Sequence, residues 1–311
     1  FKLMVKNKII IGSRGSKLAI LYAKRAKKNI LGNNPDLNNN SIDIKIIKTT
    51  GDIHDSKKLS EIGGKGVFSK QIEKELLNKK IDIAVHALKD LPSDETMGLE
   101  TKFFLKRNDP RDVFISLNYK SIFDMKPNSI IGTSSFRRNA QLNILRKDLN
   151  ISLIRGNVDT RIKKLEQKEF DAIVLSYAGI KVLGLEKKIS KIFSEKEMLP
   201  CAGQGIIALQ TRKEDKNICQ LIAKVNDPNT FNCAIAEREM LKTIEGDCDT
   251  AIGGLATIQN KLMTLKCELF SLDGKQRFFV KLSGKPEEAK EIGIKAGKEL
   301  IMQAGQNYKK R

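Results

Sequence analysis

The sequence contains no tryptophan, and aromatic residues make up only 5% of it. Platforms for stacking nucleic-acid bases are therefore scarce. Histidine occurs twice, at His54 and His86, with no HExxH and no paired spacing, so no metal centre is expected. The five cysteines, at 201, 219, 233, 248 and 267, are odd in number, widely spaced and without a CxxC. That pattern argues against a disulfide framework or a zinc site and for a reducing compartment. No apolar run approaches the roughly 18 residues that a membrane helix needs.

Positive charge is abundant. The 57 Lys and Arg outnumber the 37 Asp and Glu, for a formal net charge of +20. A balance of this kind permits binding to nucleic acid, a membrane surface or an anionic small molecule. Much of the Lys excess lies in mixed-charge helical stretches such as EKKISKIFSEKE, and the Lys, Asn and Ile bias of NNPDLNNNSIDIKIIK runs beside it. With aromatics so scarce, nucleic acid is discounted as a partner, and so is a membrane. At 311 residues and 40% hydrophobic, the chain should hold two or three domains with real cores. The first residue is Phe1 rather than Met, and no signal peptide is visible. The cytosol is the expected compartment, with a plastid after transit-peptide removal as the alternative.

The stretch from Gly132 to Arg161 concentrates the interesting charge: Arg137 beside Arg138, then Arg155 and Arg161. Each cluster stands where an expected strand gives way to an expected helix. Helix N-termini carry unpaired N–H groups and attract anions, and guanidinium forks suit carboxylates or phosphates. A receptor for a polyanionic ligand is the first expectation.

Along the chain, KIIIG reads as a buried strand, with Ser16 as the cap of the next helix. Arg14 would stand at the carboxyl edge of an open sheet, the usual ligand edge. Local evidence alone favours a capped helix with a solvent-facing Arg. SIDIKIIKTT alternates as a half-buried strand. GDIHDSKKLSEIGGKG suits a mobile active-site loop as well as an ordinary surface loop, and its GGKG lacks P-loop spacing. VFSKQIEKELLNKK reads as an amphipathic helix with Phe68, Ile72 and Leu76 on one face. In IDIAVHALKDLP a strand ends at Lys89 and Asp90, either a turn with surface charges or an acid facing a cleft. His86 reads better as a satisfied core residue than as a ligand.

Residues 103–129 read as a crossover. SIIGTSS, NISLIRGNVDT and FDAIVLSYAGIKVLG each suggest a strand and turn, the last ending in a small-residue loop. The strand-and-helix alternation spans residues 8–105 and again 111–199, which argues for two similar α/β lobes with mainly parallel sheets. The Gly-Gln-Gly of LPCAGQG begins a strand that returns to the first lobe. From about residue 228, a helix, three hairpin-like strands and a last helix read as a small α+β domain. The expected domains are 1–105 with 206–224, then 111–199, then 228–311. Cys248 lies in the loop EGDCDTAIGG of the last domain. Asp247 and Asp249 would not lower its pKa, so locally it reads as incidental.

Taken in order, SRGSKLA, GGKGVF, HALKDLP, DPRDVFIS, GTSSFRRNAQL, RGNVDTR, LPCAGQG and EGDCDTAIG resemble the hydroxymethylbilane synthase (porphobilinogen deaminase) family, from about residue 8 to residue 300. The resemblance implies an α/β fold of three domains, two of them periplasmic-binding-protein-like lobes around a cleft. It implies a transferase of porphyrin and haem biosynthesis that joins four porphobilinogen molecules head to tail and releases hydroxymethylbilane. The implied cofactor is a dipyrromethane bound covalently through Cys248, which overturns the incidental reading of that residue. By the same resemblance Asp90 is the catalytic carboxylate, and Lys89, Asp90, Ser135, Arg137, Arg138 and Arg161 hold the cofactor. Arg14, Ser16, Arg155, Phe68 and Gln204 contact substrate, and the enzyme is a monomer. The chain departs from the family pattern at Ala87, where Ser is usual, at Val182, where Arg is usual, and at Tyr22, where Gln is usual. Asp247 and Ala251 are further departures in the Cys loop.

Overall fold

The computed structural model describes residues 8–49, 66, 68–246 and 250–309. The chain divides into two compact units, residues 1–107 with 206–231 and residues 108–205 with 232–311.

The first unit is built on a five-stranded sheet of order β2-β1-β3-β10-β4. Its strands are β1 (Ile9–Arg14), β2 (Ile42–Ile47), β3 (Ile83–Ala87), β4 (Leu99–Phe104) and β10 (Ile207–Arg212). The first three run parallel, and β10 is antiparallel to both of its neighbours. The strand after Gly-Gln-Gly therefore does return to this sheet, as expected. Helix α1 (Lys17–Gly32) buries Tyr22, Ala23, Ala26 and Ile30, the stripe that a 3.6-residue period requires. Helix α2 (Lys70–Leu77) buries Ile72 and Leu76. Phe68 precedes α2 rather than sharing its face: the helix is capped at Ser69, and its first hydrogen bond runs from Glu73 N to Ser69 O.

The second unit repeats the plan with order β7-β6-β8-β5-β9. Here β6 (Ile130–Gly132), β7 (Asn150–Ser152) and β8 (Ala172–Ser176) are parallel, and β5 (Asp112–Ser116) is reversed between β8 and β9 (Lys191–Ile192). Helices α3 (Phe136–Leu145) and α4 (Val158–Glu166) follow β6 and β7. Two local readings change. The stretch taken as a crossover contains β5, whose Val113, Phe114 and Ile115 are buried. The expected small-residue loop is helix α5 (Tyr177–Val182), in which Ala178, Gly179 and Ile180 are buried.

The same unit carries a three-stranded antiparallel sheet of β11 (Ile252–Gln259), β12 (Leu262–Phe270) and β13 (Arg277–Gly284). Helices α7 (Pro228–Ile244) and α8 (Ala289–Ala304) form one core with it, through Ala236, Met240, Leu265, Leu269, Ala296 and Leu300. The remaining helix, α6 (Lys216–Ala223), packs on β10 of the first unit. Strand β11 begins earlier than LATIQN because Gly253 and Gly254 belong to it. A Cβ at Gly254 would lie 2.5 Å from Met240 Cε, so glycine here leaves room for the end of that flexible side chain where α7 crosses the strand. Among the described residues, no helix is long and apolar enough to cross a membrane.

Candidate active site

Parallel pairing of β1 with β3 sets Gly12 opposite Ala84. Two residues further on each strand, Arg14 and His86 reach the same carboxyl edge of the first sheet. Asp90 follows in a short 3-10 turn, Leu88–Asp90, and both it and Lys89 are exposed. Ser16 caps α1 beside them, its Oγ accepting from Ala19 N. One pocket is lined by Arg14, Ser16, Tyr22, Phe68, His86 and Asp90, together with apolar neighbours and Ala87. The Arg14 guanidinium carbon lies 3.9 Å from the centre of the Phe68 ring, a cation–π stack.

Two titratable groups in this pocket are held neutral. Burial, reinforced by the charge of Asp90, pushes the Tyr22 phenol up to about 12. Burial pushes His86 down to about 4 against its hydrogen bond with Gln210, and the charge of Arg14 adds to the fall. The hydrogen bonds behind the ring also choose its tautomer. Gln210 Nε2 donates to Glu73 Oε1 at 2.9 Å, which leaves Gln210 Oε1 as an acceptor. His86 Nε2, 3.2 Å from that oxygen, therefore carries the proton. The pocket thus combines a fixed cation, a carboxylate and two neutral polar walls. It can accept a ligand carrying both an anionic and a cationic group.

The second unit gathers the other residues. Ser135 caps α3, its Oγ accepting from Arg138 N. Arg137 and Arg138 are both buried, at 3% and 6% exposure, and both bind Asp112, which is wholly buried. Arg137 Nη1 donates to Asp112 Oδ2 at 2.7 Å, and also to Gln141 Oε1 and the Leu199 carbonyl. Arg138 Nη2 donates to Asp112 Oδ1 at 2.7 Å, while its Nη1 donates to the Val174 carbonyl. Gln204, also wholly buried, donates from Nε2 to Asp112 Oδ1 at 2.9 Å and to the Pro110 carbonyl. Burial alone would raise the Asp112 pKa; the charges and hydrogen bonds of the two arginines outweigh it and hold the carboxyl far below the usual range. Gln141 extends the network to Glu268 on β12, which pairs with Arg277. Arg161, on α4, donates from Nε to the Gly156 carbonyl, and Arg155 is half-buried after β7.

Arg14, Ser16, Phe68 and Asp90 therefore share a pocket in one unit, and Arg137, Arg138 and Gln204 share a network in the other. Cys248, with Asp247 and Asp249, lies outside the described residues, as do His54 and the segment 51–65. Sequence reasoning singled out no role for Asp112, although the motif DPRDVFIS contains it. The available signal was an acid opening an otherwise apolar strand.

Two family models match the chain. "Porphobilinogen deaminase, dipyromethane cofactor binding domain" covers residues 9–220, and "Porphobilinogen deaminase, C-terminal domain" covers residues 231–302. A porphobilinogen deaminase of Syntrophomonas wolfei is 41% identical over 295 residues, spanning 95% of each chain. One of Chlorobaculum tepidum is 41% identical over 300 residues, spanning 96% of this chain and 95% of its own. Among solved structures, the methionine-binding protein MetQ aligns with 70% of this chain and 90% of its own at 12% identity and a TM-score of 0.44. With models and relatives agreeing across nearly the full length, the chain belongs to the porphobilinogen deaminase family.

Proposed function

We propose that this chain joins four porphobilinogen molecules head to tail, releasing ammonia at each addition, and frees the product hydroxymethylbilane by hydrolysis. In this reading Asp90 is the catalytic carboxylate. Arg14, Ser16, Arg155, Phe68 and Gln204 contact substrate, and Lys89, Asp90, Ser135, Arg137, Arg138 and Arg161 hold the dipyrromethane cofactor tethered at Cys248. The domains are residues 1–105 with 206–224, 111–199 and 228–311, and the enzyme is a monomer. It works in the cytoplasm, a placement supported by the free thiols of Cys201, Cys219 and Cys267.

The observation that carries the reading is the pairing of Arg14 with Asp90 in one pocket whose other polar walls are neutral. Porphobilinogen bears two carboxylates and an aminomethyl group that is cationic near neutral pH. Arg14 offers a fork to a carboxylate, and Asp90 offers a negative charge to the ammonium and the pyrrole N–H. Loss of ammonia leaves the substrate ring electron-poor at its methylene carbon. Asp90 then opposes the developing positive charge and accepts a proton as the new bond forms. Tyr22 and His86 add no competing charge.

The arginine cluster suits the cofactor's carboxylates. Two guanidinium charges against one Asp112 carboxylate leave one positive charge in excess, in a buried setting. Arg137 Nε is a buried donor with no hydrogen-bond partner among the described residues. An incoming carboxylate answers both conditions. When bound, the dipyrromethane supplies the pyrrole α-carbon at which extension begins.

Intact-mass measurement tests the assignment. The purified protein should exceed its sequence mass by two linked pyrrole units, and Cys248→Ala should lack the increment. An unmodified mass in protein that consumes porphobilinogen at the normal rate would refute the tethered cofactor.

A further inference from the structure

We propose that Asp112 is the positioning residue of the arginine pair, gathering Arg137 and Arg138 into one receptor for a single cofactor carboxylate. The inference rests on the cofactor reading above and adds a residue to it.

Adjacent residues on a helix diverge by about 100°, so Arg137 and Arg138 do not face each other through α3 alone. Asp112 brings them together from another strand. Its Oδ2 accepts from Arg137 Nη1, and its Oδ1 accepts from Arg138 Nη2 at 2.7 Å and Arg138 Nε at 3.2 Å. Gln204 Nε2 completes the carboxylate's shell. Arg138 is further pinned by the Val174 carbonyl, and Arg137 by Gln141 and the Leu199 carbonyl. The guanidinium groups are thereby fixed before any ligand arrives, which lowers the ordering cost of binding. Asp112 also sets the charge. Without it the pair would present two buried positive charges; with it the excess is one, the charge of a single carboxylate. Arg137 Nε remains as the buried donor for such a group.

A residue needed only for folding would change stability, not the cofactor content of folded molecules. Wild-type protein, Asp112→Asn and Asp112→Glu are therefore expressed as full chains and compared by intact mass, near-UV circular dichroism and porphobilinogen titration. The expected result is folded Asp112→Asn with the two-pyrrole increment in under a tenth of the wild-type fraction. Asp112→Glu, which keeps the charge but displaces it by a methylene, should recover part of the loading and still fall at least threefold short. Folded Asp112→Asn that carries the increment at the wild-type fraction, with unchanged kcat and KM, would overturn the proposal. If Asp112→Asn does not fold, Asp112→Glu decides: loading reduced at least threefold in folded protein supports the role, and smaller loss refutes it. A wild-type protein without the increment would instead remove the cofactor reading, and this proposal would fall with it.

Discussion

Arg14 and Phe68 are stacked, with the guanidinium carbon 3.9 Å from the ring centre, although 54 positions separate them in the chain. The ring face lies against the guanidinium group. A cation–π contact of this kind contributes about 0.5–2 kcal/mol, depending on desolvation. Phe68→Leu should therefore raise KM for porphobilinogen about twofold to thirtyfold, while Phe68→Tyr, which keeps the π face, should stay near wild type. Steady-state kinetics of both variants check this; equal losses in the two would show that the ring face is not what matters.

Among the described residues, Asp90 is the only carboxylate that lines the pocket, and it is exposed. Asp90→Asn preserves shape and removes charge. Its turnover should fall by about 10²–10⁴-fold, the range for a positioned acid–base group, with the pyrrole mass increment retained once cofactor has been supplied. Single-turnover ammonia release, measured beside intact mass, separates lost chemistry from lost cofactor.

His86 makes stability depend on pH. Its folded pKa of about 4 lies below the ordinary 6.5, so the unfolded chain binds a proton that the folded chain refuses. The contribution is fully present above pH 6.5 and is lost as pH falls toward 4, by about 3 kcal/mol in total. Urea unfolding at pH 7 and pH 5 should show a larger loss for the wild type than for His86→Gln. Identical pH dependence in the two proteins would contradict the burial argument.

Helices α7 and α8 touch through glycine. A Cβ on Gly293 would lie 2.4 Å from the Ala236 carbonyl oxygen and 2.9 Å from Glu239 Cβ. Backbone cannot swing aside as a side chain can. Gly293→Ala should destabilise the protein by about 1–3 kcal/mol through overpacking, seen as a lower urea midpoint, whereas Gly274→Ala, in open space but at positive φ, tests backbone strain alone.

Much of the molecule was legible because the signals are local. The apolar runs around Ile9, Ile83 and Ile173 formed the buried strands they suggested, and Ser16 cast as a cap accepts its helix N–H. The repeated strand-and-helix order appeared as two sheets with the same plan. Phe68, two residues before the helix begins at Lys70, was harder to read, since periodicity says little about where the first helical hydrogen bond closes.

The sequence by itself determined the family, the two α/β lobes with their added α+β domain, and the kinds of residue that the chemistry needs. Only the tertiary structure decided what those residues do to one another. Arg137 and Arg138 read as a ligand-facing pair on their own, yet a carboxylate 25 and 26 positions away draws both inward. The physical reason is that a buried guanidinium must be paired, and whether its partner is a ligand or another part of the chain depends on which strand the fold sets beside it. Here that strand is β5, and its first residue is Asp112.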